Sequence, residues 1–143
     1  MKKILSLGIL CLWSMTCTSQ PNETASKFVE GLLNEKLTTD EIVAAFLNVN
    51  TVDKLKISQI KTHLGEARKE LKSKHVSIKN VKIVSYSEIP ERERNIVIDQ
   101  EDIGKIYFAY YTDKEFIPLL IQNNKVLAFA TMDKGGKKYF MEY

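Results

Sequence analysis

Between Ile103 and Tyr143 the chain reads as three or four strand-like segments separated by hairpin turns, and these segments hold most of its aromatic residues. Asp113-Lys114, Asn123-Asn124 and the Asp133–Lys138 segment with Gly135-Gly136 each join two apolar runs, and Asn and Gly tolerate the positive φ of tight hairpin turns. A meander sheet is expected, closed by a final strand over Tyr139 to Tyr143.

If the first two loops have two residues each, the register follows, because opposed residues share a face. One face then carries Ile106, Phe108 and Tyr110, then Ile117, Leu119 and Ile121, then Val126, Ala128 and Ala130. It is nearly all aliphatic, and its alanines leave room for a helix, so the helical layer is assigned to it. The other face carries Tyr107, Ala109 and Tyr111, then Phe116, Pro118 and Leu120, then Leu127, Phe129 and Thr131. That face is apolar too, whereas a sheet with one side in water alternates apolar with polar residues. Something must therefore cover it: the chain itself, a second subunit or a ligand. Tyr107, Tyr111, Phe116, Leu127 and Phe129 are the candidate ligand or partner face.

Upstream the period is helical. Phe28, Val29, Leu32, Leu33 and Leu37 share one side of a first amphipathic helix. Thr38-Thr39-Asp40-Glu41 fits a capping box that opens a second, shorter helix faced by Ile42, Val43, Phe46 and Leu47. A third helix, beginning near Thr51 or Ser58 and ending at Ser73, has a narrow seam of Ile57, Ile60, Leu64, Ala67 and Leu71, so it lies on a surface. Its lysines are interrupted by Glu66 and Glu70 and read as a solvated face, and Gly65 suggests close approach to a neighbour. Val76, Ile78, Val81 and Ile83 then alternate as one strand bent at Lys79-Asn80, Glu88 to Asn95 is a loop, and Ile96 to Ile98 is a short strand. The whole is an α+β domain: about three N-terminal helices on a curved antiparallel meander of about four to six strands, over residues 20–143.

Residues 1–19 read differently. Lys2 and Lys3 precede an uncharged apolar run from Ile4 to Met15, which as a helix reaches only about 18 Å against a hydrocarbon core of ~30 Å. This is a signal peptide and tether. Removing its lysines takes the formal charge from +3 to +1, which makes no case for nucleic acid. Ser14-Met15-Thr16-Cys17 resembles the lipobox of bacterial lipoproteins, which implies cleavage before Cys17 and acylation of its thiol; cleavage after Ser19 is the competing reading. Cys11 falls inside the apolar run, so Cys17 would be a lone thiol in an oxidising compartment, an oddity that either cleavage removes. The expected location is the cell envelope or periplasm, with membrane attachment by lipid on Cys17.

Catalytic chemistry is sparse. His63 and His75 are the only imidazoles, and neither has an H-x-x-x-H or H-E-x-x-H companion. Asp99 to Gly104 lacks the oxygen ligands of a calcium loop, with Ile103 at the fifth place and Tyr110 at the twelfth. No serine sits in a nucleophile elbow and Gly135-Gly136 is no phosphate loop. No cofactor, metal or catalytic residue is assigned.

The order of helices followed by a curved meander with aromatic hairpins resembles, over Asn22 to Tyr143, the nuclear-transport-factor-like and cystatin-like folds of small exported lipoproteins of Gram-negative bacteria. The resemblance implies a cone-shaped sheet around the helices with a pocket at its open end. Enzymes of such folds usually have acidic, histidine or tyrosine groups in that pocket, and histidine is short here. The expectation is a non-catalytic envelope lipoprotein that binds a small apolar molecule or a protein partner through its sheet. A hydrolase or isomerase, with Tyr107, Tyr111 and Glu142 meeting on one face, is the alternative from another class, and a structural homodimer joined sheet to sheet is the third.

Overall fold

A computed structural model describes residues 21–49, 53–141 and Tyr143; the expected signal peptide, Cys17 and Glu142 lie outside the described residues. Three α-helices, α1 (Pro21–Leu33), α2 (Thr39–Phe46) and α3 (Lys54–Ser73), precede seven strands. These are β1 (Lys82–Ser85), β2 (Ile96–Val97), β3 (Ile106–Tyr110), β4 (Phe116–Gln122), β5 (Lys125–Ala128), β6 (Thr131–Lys134) and β7 (Lys137–Phe140). The class is α+β, with the helices N-terminal to the sheets.

Each helix begins where local chemistry permits. Thr38 accepts from the Glu41 amide at 3.2 Å while Glu41 returns a carboxylate to the Thr38 amide at 2.7 Å, the expected capping box. Asp53 caps α3 by accepting from the Leu55 and Lys56 amides, both at 3.1 Å. Along the α3 seam Ile60, Leu64 and Leu71 are fully buried, while Ile57 and Ala67 are partly so, as a helix lying on a surface requires. Gly65, however, has open space around it; the close approach belongs to Gly31, where a Cβ would stand 2.7 Å from the Phe46 ring.

The strands form two sheets rather than one meander. A four-stranded antiparallel sheet runs β1-β3-β4-β5, and a three-stranded sheet runs β2-β7-β6, in which β2 pairs parallel to β7. The chain leaves the first sheet after Ala128 and enters the second at Thr131. Upstream, Val76 to Val81 forms no paired strand: a single 3-10 turn at Ile78–Asn80 occupies the expected first half of the strand, and pairing starts at Lys82. Val76, Ile78, Val81 and Ile83 still bury part of their side chains against the helical core, which is why they alternate.

The register of β3 differs by one residue from the two-residue-loop expectation. Tyr110 pairs with Phe116, and the β3–β4 loop has three residues, Thr112 to Lys114. Thr112 causes this: its hydroxyl accepts from the Glu115 amide at 2.9 Å and the Lys114 amide at 3.3 Å, which stabilises the longer turn. A slip of one residue reverses every side chain of a strand. Ala109 therefore faces the helices with Tyr107 and Tyr111 beside it, and Ile106, Phe108 and Tyr110 face away. Asn123-Asn124 does form a two-residue turn, at φ of 52° and 58°, but a bulge between Leu120 and Ile121 sends Ala128 to the outer side and Phe129 to the helical side.

Two cores result. α1 packs across β3, β4 and β5, and Phe28, Leu32, Ile60, Leu64, Ala109, Leu119 and Val126 fill the space between helices and sheet. On the outer side Ile89 and Ile96 close over Ile106, Phe108, Leu120 and Ala128. The chain itself thus covers the second face, with the segment from Tyr86 to Ile98 and with Phe140 of β7.

Candidate functional site

Arg94 shapes the covering segment. Its guanidinium donates to the Ile89 carbonyl at 2.9 Å and the Ser87 carbonyl at 3.3 Å, and lies 4.9 Å from the Tyr86 ring centroid. Ser85 opens a turn below it through a reciprocal cap with Glu88, whose carboxylate these bonds hold below its ordinary range. Thus pinned, the segment seals Phe108 but stops short of the end of β1 and β3. What remains is a cleft of about 530 Å³ with Val84 and Tyr110 on the sheet side and Ile89 and Pro90 on the segment side. Lys82, Glu88, Glu93 and Asp113 stand among its polar lining. Burial, and then the charge of Glu93, push the Tyr110 phenol above its usual value, so it enters the cleft as a neutral hydrogen-bonding group.

Behind this cleft the rings are continuous. Tyr86 stacks on Phe108 at 6.3 Å, Phe116 meets Phe108 edge-on at 4.9 Å, and Tyr110 lies 5.1 Å from Phe116. Such pairs are worth ~0.5–1.5 kcal/mol each beyond the area they bury, so Tyr110, the ring of this set that lines the cleft, is held in place by the rings behind it.

A second, smaller cleft of about 290 Å³ lies on the other side of Tyr111, between α3 and the sheet. His63, Glu66 and Glu70 line it from the helix, and Tyr111, Phe116 and Phe129 from the strands. The Tyr111 hydroxyl donates to Glu70 at 2.7 Å, while Lys74, ion-paired with Glu115, lies 5.7 Å from the Tyr111 ring centroid. Burial first, and Glu70 second, push the Tyr111 phenol strongly upward, the wrong direction for a general base at neutral pH. His63 Nδ1 is 2.8 Å from the Tyr143 hydroxyl, and Tyr143 packs on Phe129 at 5.3 Å.

The five residues expected to share one face are divided. Tyr107, Tyr111 and Phe129 pack with the helical core, Phe116 and Leu127 with the outer one, because of the slip at Thr112 and the bulge between Leu120 and Ile121. Tyr111, Phe116 and Phe129 nevertheless meet at the smaller cleft, whereas Tyr107 and Leu127 line neither. From the sequence, His63 stands as an isolated imidazole and Glu66 and Glu70 as members of a solvated face, with nothing joining the three into one site. Their spacing of three and four residues puts them on one stripe beside the seam, the signal by which they could have been found. The clustering of Val84, Ile89 and Pro90 with Tyr110 has no such local signal.

Among the described residues, no group of His, Cys, Asp and Glu is placed to hold a metal ion, and no helix is long and apolar enough to cross a membrane. No protein-family model, curated protein or solved structure matches the chain. The fold and its clefts define the class, an α+β domain with a cleft beside Tyr110 on its outer sheet face.

Proposed function

We propose that this domain is a binding module of the cell envelope, tethered through lipid on Cys17, that takes a small apolar molecule into the cleft between Val84, Tyr110, Ile89 and Pro90. The observation that carries this reading is the incomplete cover. The segment from Tyr86 to Ile98 buries most of the outer face yet leaves about 530 Å³ open beside Tyr110, whose ring packs against Phe108 and Phe116. That volume is within the usual range of small-molecule sites, which are mainly apolar with a few polar groups for orientation. Tyr110 and Lys82 are the groups in position to orient a ligand. The signal-like residues 2–15 and the lipobox-like Ser14–Cys17 support export and tethering.

Titration of the full chain with the neutral fluorophore N-phenyl-1-naphthylamine tests the site. Saturable one-to-one enhancement is expected, abolished when Val84→Trp or Pro90→Trp fills the cleft while circular dichroism is unchanged. Enhancement that does not saturate, or that survives both substitutions, would sink the proposal. Metabolic labelling with a palmitate analogue tests the tether, with label expected on the wild type and absent from Cys17→Ser. Label that is missing from both, or unchanged in Cys17→Ser, would remove the lipoprotein reading.

A further inference from the structure

The lysines of α3 read in sequence as a solvated face, but the tertiary structure gives part of that face, with Arg68, an apolar floor. Where the C-terminal end of α1 runs beside α3, a groove of about 680 Å³ is floored by Leu32, Leu33 and Val76. Arg68, Lys69, Lys72 and His75 rim it, with Glu35 the one acid in its lining. Leu32 is buried, while Leu33 and Val76 remain partly exposed against the helical core.

Arg68 is the fixed member of this rim. Its guanidinium donates to the Leu37 carbonyl at 2.7 Å and the Asn34 carbonyl at 2.8 Å, and so closes the end of α1. Lys72 pairs with Glu35 at 2.7 Å on the surface, where both side chains are more than two-thirds exposed and the pair is weak and exchangeable. Lys69 makes no hydrogen bond or ion pair among the described residues. Three cations, Arg68, Lys69 and Lys72, face one carboxylate, Glu35, over an apolar floor. A cation offers nothing to such a rim, and a neutral ligand would use only the floor.

We infer that this groove binds a free, single-chain anionic amphiphile, with its alkyl chain on Leu32, Leu33 and Val76 and its carboxylate or phosphate head between Lys69, Lys72 and Arg68. Arg68 presents a planar fork already locked by two carbonyls, and the two lysines supply mobile point charges that follow the head group. Apolar burial of the chain contributes most of the affinity, and the rim selects the sign of the head. The site is separate from the outer-face cleft and does not depend on it.

Calorimetric titration of the full chain with laurate, below the concentration at which it forms micelles, tests this. One-to-one binding is expected, weakened roughly tenfold or more in Lys69→Glu/Lys72→Glu and unchanged in Lys134→Glu, which reverses a charge on the β6–β7 hairpin instead. Since the double variant could perturb α3, Lys69→Gln provides a milder substitution of an exposed side chain, expected to weaken laurate in the same direction. Dodecyltrimethylammonium, with the same chain and the opposite head, is expected not to bind at the groove. Equal affinity for the two heads, equal loss in Lys134→Glu, no saturable laurate binding, or binding only to phosphatidylglycerol vesicles would each overturn the inference.

Discussion

Tyr111, the first residue after β3, donates its hydroxyl to Glu70 of α3 at 2.7 Å, tying the sheet to the helical layer at the point where the two clefts meet. Removing the hydroxyl in Tyr111→Phe keeps the ring but loses that bond, at an expected cost of about 0.5–1 kcal/mol in chemical denaturation. The pH dependence has a definite sign. The Tyr111 phenol is raised in the folded state, by burial and then by Glu70, so its contribution is present below the unfolded value of ~10 and lost as pH rises above it. Melting temperatures measured from neutral pH to above pH ~10 should therefore fall more steeply in the wild type than in Tyr111→Phe. Parallel curves would mean that the bond contributes nothing.

Two glycine substitutions should move stability in opposite directions. Gly31→Ala places a Cβ 2.7 Å from Phe46 Cε2 and must displace the ring where α1 meets α2, at a cost of about 1–3 kcal/mol. Combining it with Phe46→Leu should recover part of the loss in a double-mutant cycle. Gly65→Ala meets nothing within 4 Å on an exposed stretch of α3 and should stabilise by about 0.5–1 kcal/mol.

Arg94→Ala removes both carbonyl contacts of the covering segment and the guanidinium over Tyr86. A loss of about 1–2 kcal/mol is expected, with faster amide hydrogen exchange confined to the segment from Tyr86 to Ile96. Uniformly faster exchange would show that the segment unfolds only with the whole domain.

Asn123 and Asn124 both have left-handed backbone angles in the β4–β5 turn. Asn124→Ala should cost about 1–2 kcal/mol, since alanine lacks the side chain that eases that conformation, while Asn124→Gly should be nearly neutral. Thermal denaturation of the two variants checks the difference.

Acidification should loosen the Ser85 turn. Glu88 is held below its ordinary range by the Ser85 hydroxyl and amide, so its contribution is present above the unfolded value of ~4.3 and lost as pH falls through the lower folded one. Ser85→Ala, which removes the hydroxyl but keeps the amide, should reduce that acid-side loss, read as hydrogen exchange at Tyr86 to Ile89.

How far the sequence could be read depended on the range of each interaction. The Thr38 capping box, the α3 seam and the Asn123-Asn124 turn are settled by residues within a few positions of one another, and each appears as its spacing indicates. The face assignment of β3 turned on the hydroxyl of Thr112, whose alternative hydrogen bonds lengthen the loop by one residue and invert the strand. That of β5 turned on a bulge between Leu120 and Ile121, which leaves no mark in the alternation.

By itself, then, the sequence determined the order of helices before strands and the apolar character of both sheet faces, because these follow from periodicity and composition. Only the tertiary structure decided that the chain covers its own outer face, that β2 joins β7 in a second sheet, and that Val84, Ile89, Pro90 and Tyr110 frame a cleft. Those outcomes depend on pairings between distant residues, where one residue of slip exchanges inside for outside and no local pattern selects between the two.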